Sequence, residues 1–123
     1  MMDSGERETR HQVDVRDTNE RVVPQCANAH AHVRYRCECG DRHCRECVHA
    51  TRDEYESVRD RGCWFLTVVK HENPETSFVV STNARFSVIE TIATEPRRIA
   101  LRSNPRQSWP RPSRRPSRTR EGD

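Results

Sequence analysis

Lysine is almost missing from this chain: of 22 basic side chains, Lys70 alone is lysine. An arginine bias that one-sided marks GC-rich coding DNA more than phosphate binding, so the count of arginines is not evidence for a nucleic-acid partner. Apolar residues are scarce as well. Hydrophobic residues make up 32% of the chain and charged residues 33%, with a mean hydropathy of −1.07. Such a composition borders on disorder, and 123 residues allow one domain. A core this small gains little from burial alone and calls for a staple, either a disulfide or a metal. The longest apolar stretch, Cys63 to Val69, is far too short to span a bilayer. The first 21 residues lack the apolar segment of a secretory signal. These absences exclude a membrane role and point to a cytoplasmic protein. The chain also lacks a phosphate-binding glycine loop, a Ser/His/Asp arrangement and carboxylates paired with any positional logic, so an enzyme is not expected.

Charge is divided along the chain. Residues 97–123 hold nine arginines against Glu121 and Asp123, a net of +7, and residues 1–96 carry a net of −4. The protein reads as an acidic body with a basic tail. The divisions expected are an N-terminal helix and loop over 1–31, a small α+β domain over 32–106, and a disordered Arg/Pro/Ser tail over 107–123. Within that tail Arg111, Arg114, Arg115 and Arg118 could track phosphates, nonspecifically and with strong salt dependence. Trp109 offers one stacking surface. The competing reading, an idle solvated extension, is favoured.

What the chain does have is a run of four cysteines: Cys37, Cys39, Cys44 and Cys47. In an extended strand residues i and i+2 face the same side, so Cys37 and Cys39 present their sulfurs together. Gly40 and Asp41 turn the chain, and Cys44 returns to the pair. Cys44 and Cys47 have the C-x2-C spacing of a metal knuckle. Four soft donors suit a closed, tetrahedral zinc site. The same thiolates could serve an iron–sulfur cluster or remain buried free thiols. Disulfides are disfavoured in a reducing compartment. Local spacing nominates Cys47 as fourth ligand, and His71, in a turn after the central strand, could also reach back. An open, catalytic zinc would need an acid or base, for which Glu38, Glu46 and Glu72 are near in sequence only.

Elements around the cluster follow from pattern. Residues 6–23 contain no glycine or proline and read as a helix with a weak stripe of Val15, Thr18, Asn19 and Val22. His32 to Cys39 alternates, with Val33, Tyr35, Cys37 and Cys39 facing one way and Arg34, Arg36 and Glu38 the other. Thr51 and Glu54 form a capping box for a helix running to about Arg61, where Gly62 ends it. Cys63 to Val69 reads as the most buried strand, with Cys63 packed beside Trp64. Residues 71–74 are a turn, 75–81 are ambiguous between helix and strand, and Arg85 to Thr91 is a strand. Arg97 to Arg102 adds a helical turn. The fold class expected is α+β: a small antiparallel sheet of about three strands with one or two helices, stapled by a metal site.

The series Arg16-Asp17-Thr18-Asn19-Glu20-Arg21-Val22, then Cys37-Glu38-Cys39-Gly40-Asp41 with Cys44, then Thr51 with Glu54-Tyr55-Glu56 and Val58-Arg59, then Phe65-Leu66, His71-Glu72 and Asn104-Pro105-Arg106 resembles a group of small uncharacterised actinobacterial proteins. The resemblance covers about residues 13–106 and rests on order and spacing. It implies a metal site of C-x-C-x4-C plus a later histidine: Cys37, Cys39, Cys44 and His71. Cys47 falls where that group has no regular cysteine. This chain departs from the pattern at Lys70, where the group has a glycine that permits a tight turn, and at Ala50, where it has a larger aliphatic. The resemblance implies no reaction. The function expected is a structural zinc module that meets another protein, with nucleic-acid binding through the tail as the alternative and a zinc or thiol enzyme behind it.

Overall fold

The computed structural model describes residues 4–22 and 31–104. The tail arginines Arg111, Arg114, Arg115 and Arg118, with Trp109 and Cys26, lie outside the described residues. Helix α1 (Ser4–Val22) is followed by strands β1 (His32–Arg36) and β2 (Cys47–Thr51), helix α2 (Arg52–Val58), strands β3 (Trp64–Thr67), β4 (Ser77–Thr82) and β5 (Ser87–Thr91), and helix α3 (Thr94–Arg102). β1 and β2 form one antiparallel sheet. β3, β5 and β4, in that order, form a second antiparallel sheet. The α+β architecture with a small three-stranded sheet is therefore present, joined by a two-stranded ribbon.

The ribbon pairs Tyr35 with Val48 and Val33 with Ala50. Tyr35, Val48 and Ala50 are fully buried and meet Tyr55, Val58, Leu66 and Val88 in the main core. Tyr35 and Tyr55 stack with ring centroids 4.4 Å apart. A smaller cluster of Cys63, Phe65, Ile89 and Ala100 fills the other face of the three-stranded sheet, with Trp64 packed against it. The capping box forms as read: Thr51 Oγ1 accepts from the Glu54 amide at 3.1 Å and Glu54 accepts from the Thr51 amide at 2.8 Å. α2 ends earlier than its pattern predicts, with its C-cap at Arg59, whose side chain is buried. The ambiguous segment resolves as strand β4, an edge strand with a bulge between Val79 and Ser81.

α1 docks by hydrogen bonds as much as by apolar contact. Its inner face carries Thr9, Gln12, Val13, Val15, Arg16 and Asn19. Gln12 donates to the Glu38 carbonyl at 2.9 Å. Arg16 donates to the carbonyls of Gly62 at 2.8 Å and Ala100 at 3.3 Å. Asn19 donates to the Arg36 carbonyl and accepts from the Arg36 amide, both at 2.9 Å. Backbone groups left over at the ends of strands and helices need partners, and this helix supplies them. Burial lowers the Arg16 guanidinium to about 10, since a charge removed from water is disfavoured.

Candidate metal centre

The chain leaves the β1 ladder at Cys37 but stays tied to both sheets. The Cys37 amide donates to the Glu46 carbonyl at 3.0 Å, and the Glu38 amide to the Leu66 carbonyl at 2.8 Å. Gly40 then turns with φ +89°, which suits glycine. A side chain there would collide with Glu8, whose Cγ lies 2.3 Å from the position of an added Cβ. The Asp41 carboxylate accepts from the His43 amide at 2.9 Å and its carbonyl from the Cys44 amide at 3.0 Å. This tight turn carries Cys44 back towards Cys37 and Cys39.

The fourth member arrives from the other sheet. After β3 the chain turns at Lys70, whose φ of +73° lies in the left-handed region, and His71 points into the cluster. His71 Nδ1 lies 3.5 Å from Cys37 Sγ and 3.7 Å from Cys44 Sγ. The donor atoms of Cys37, Cys39, Cys44 and His71 all lie within 4.8 Å of one another, a group that could hold a metal ion. Bond lengths of about 2.3 Å to sulfur and 2.0 Å to nitrogen put the S···N edge of a tetrahedral zinc site at roughly 3.5 Å, close to the 3.5 and 3.7 Å found here.

The surroundings favour a single thiolate. The backbone amide of Val68 donates to Cys37 Sγ at 3.2 Å. Backbone amides of Asp41 and Glu46 pull the thiols of Cys39 and Cys44 in the acidic direction. Hydrogen bonding from Cys37 brings the Cys39 thiol down to about 5, and the same bond, with burial, drives Cys37 up. Desolvation raises Cys44. The cluster holds one thiolate readily and resists gathering more negative charge. A bound cation removes that resistance, because metal ligation and deprotonation are coupled.

Cys47 is not in the group. It pairs with Arg36 in the ribbon ladder, and its neighbour Val48 faces the core. Strand alternation therefore turns Cys47 to the outer face, where Arg34 donates to its sulfur at 3.7 Å. The C-x2-C spacing is misleading here because its second cysteine begins a strand. His43 and His49 are exposed. All five described cysteines are free thiols.

Glu38 corrects the alternation read from sequence. That pattern places it on the outer side with Arg34 and Arg36, yet it is fully buried. β1 ends at Arg36, so strand parity stops applying two residues earlier. Its carboxylate accepts from Asn19 Nδ2 at 2.8 Å, the Tyr55 hydroxyl at 2.9 Å and the Leu66 amide at 2.9 Å. Burial pushes its acid upward, opposed by those donors and by Arg59. Of the other carboxylates close in sequence to the cluster, Glu46 lies with Oε2 3.4 Å from His71 Nε2. Local spacing gives no sign of either relationship. Glu38 is a buried tie between α1, α2 and β3, lying between two cysteines of the site.

No described helix is long and apolar enough to cross a membrane. Compared with protein-family models, curated proteins and solved structures, the chain returns no match.

Proposed function

We propose that Cys37, Cys39, Cys44 and His71 hold a structural zinc ion, and that the chain is a non-enzymatic, zinc-stapled interaction module. The observation that carries this reading is the pair of S···N edges, 3.5 and 3.7 Å, close to the length a tetrahedral zinc site requires. Four protein donors complete such a site and leave no position for a substrate, which is the pattern of structural zinc rather than catalytic zinc. One ion with short bonds suits this close spacing better than an iron–sulfur cluster. Apparent zinc binding in small domains is on the order of 10–16 kcal/mol, comparable with a typical total stability of about 5–15 kcal/mol. A metal here would decide whether so polar a chain folds. The resemblance to small actinobacterial proteins, which implies this same donor set, belongs to the reading, as does a reducing, cytoplasmic setting.

The role proposed is contact with another protein. Ile92 and Leu101 stand exposed on an open groove of about 560 Å³ bordered by Arg97 and Arg98, and apolar residues rimmed by charge are the usual make-up of a protein contact. The test is the metal content of purified protein by mass spectrometry, for wild type and Cys39→Ser. Near-stoichiometric zinc in the first and loss in the second are expected. A wild type without metal sinks the proposal. Cobalt substitution separates the enzyme reading: an exchangeable water on the ion would argue for catalysis.

A further inference from the structure

The two-stranded ribbon has one face in the core and one in water. Register sets Arg34 opposite His49 and Arg36 opposite Cys47 on the outer face. Arg34 and His49 are exposed, and Arg36 is partly so. The turn at the end of the ribbon adds exposed Arg42 and Arg45. Among the described residues none of these four arginines meets a carboxylate. Arg34 reaches only Cys47 Sγ, and Arg45 donates to the Arg42 carbonyl at 3.5 Å. Elsewhere, Arg59, Arg85, Arg97 and Arg98 are each paired with a glutamate. The turn also carries two exposed acids, Asp41, which accepts from the His43 amide, and Glu46, beside His71. The abundance of arginine carries no weight here. Its clustering, unpaired, on the ribbon and its turn does. Arg10, Arg52 and Arg61 likewise meet no carboxylate among the described residues, but each stands in a different part of the fold, whereas Arg34 and Arg36 share one face of the ribbon and Arg42 and Arg45 sit on the turn that joins its strands.

The chemistry of that face selects a partner. The exposed large hydrophobics, Phe78, Val79, Ile92 and Leu101, all lie on the other sheet, the loop after it or α3. A protein interface is built around apolar anchors, and this face has none. A phosphate backbone needs cations on a polar, wet surface. Single strands are held by aromatic platforms, whereas Tyr35 lies under the ribbon, stacked on Tyr55. A two-stranded β-ribbon fits the major groove of a duplex. We propose that the outer face of the ribbon and the turn that joins its strands, through Arg34, Arg36, Arg42 and Arg45, bind double-stranded nucleic acid by its phosphates, without reading bases. This goes beyond the zinc reading and stands whichever metal fills the site.

The experiment is fluorescence anisotropy of full-length protein with a labelled duplex of about twenty base pairs, between about 50 and 200 mM salt. Wild type should bind with a steep salt dependence. Arg34→Ala/Arg36→Ala/Arg45→Ala, checked for unchanged metal content and circular dichroism, should bind at least about tenfold more weakly. Its log–log salt slope should fall by roughly 3, close to one for each phosphate that no longer meets an arginine. Arg114→Ala/Arg115→Ala/Arg118→Ala, in the tail, should keep most of the affinity. If the ribbon variant does not fold, Arg42→Ala/Arg45→Ala leaves the ladder untouched and should still weaken binding by about threefold or more. Absence of wild-type binding, a ribbon variant that binds like wild type, or a tail variant that takes the whole loss would each overturn the proposal. So would polyglutamate competing as well as the duplex, which would mean an acidic protein partner, or equal affinity for a single strand.

Discussion

His71 Nδ1 lies 3.5 Å from Cys37 Sγ although 34 residues separate them. The contact joins the ribbon to the three-stranded sheet, since Cys37 follows β1 and His71 follows β3. Cys47, ten residues from Cys37 in sequence, is turned away by its place in β2.

This relationship sets the first expectation. His71→Ala should lose zinc and stability, and Cys47→Ser should keep both. Shared evenly over four ligands, zinc binding of about 10–16 kcal/mol gives roughly 2.5–4 kcal/mol for each. On a domain of this size that lowers the melting midpoint by more than about 10 °C. Zinc content and thermal melts of the two variants decide the matter, and a greater loss from Cys47→Ser would transfer the fourth position to Cys47.

Lys70 gives the second. A lysine at φ +73° pays a left-handed cost of roughly 1–2 kcal/mol, part of which glycine returns through its freer unfolded state. Lys70→Gly should therefore stabilise the metal-bound protein by about 0.5–1 kcal/mol, seen as a rise of a few degrees in the melting midpoint. Lys70→Val should do the opposite, because a β-branched side chain tolerates that conformation least. A glycine variant less stable than wild type would show that the turn does not strain its lysine.

The third concerns the buried carboxylate. Glu38→Ala removes one acceptor from three donors that cannot reach water, at a cost of about 3–5 kcal/mol. Tyr55→Phe removes a single bond to a charged group and should cost about 1.5–3 kcal/mol. Urea unfolding in the presence of zinc measures both. Equal, small effects would mean that water enters the network in solution.

Thiol reactivity supplies the fourth. With metal bound, Cys47 should alkylate first among the described cysteines, being partly exposed on the ribbon. Cys63 should lag. Burial raises its thiol, an effect that Arg97 opposes, so it stays protonated through neutral pH, and its reaction should quicken only as pH climbs above the ordinary thiol range. A chelator should then open Cys37, Cys39 and Cys44 to the reagent. Peptide mapping reads the order, and prompt labelling of Cys37 in the metal-loaded protein would contradict the site.

Much of the scaffold is legible in the sequence. The capping box at Thr51 and Glu54, the helix Ser4–Val22 and the strand after Cys63 all have local causes, in side-chain chemistry within a few residues. The trio Cys37, Cys39 and Cys44 stands out because metal chemistry narrows the choice, while the approach of His71 is suggested by its place in the turn after the central strand and by resemblance. β2 escapes notice because its first residue looks like part of a knuckle. Glu38 is turned the wrong way by pattern because alternation holds only while the ladder lasts. The ribbon's outer face is hidden for a related reason. Arginine is so common here that composition cannot tell paired from unpaired, and only the register reveals the difference.

Arg16 has a consequence for the order of events during synthesis. Its guanidinium bonds the Ala100 carbonyl, 84 residues further along. α1, which precedes the other described elements in the chain, thus has no complete seat until α3 has followed it out. Loop closure over that distance is slow relative to local contacts, so α1 should be secured late although it is made before α3. Any truncation before residue 100 would leave a buried cation with one of its two carbonyls missing.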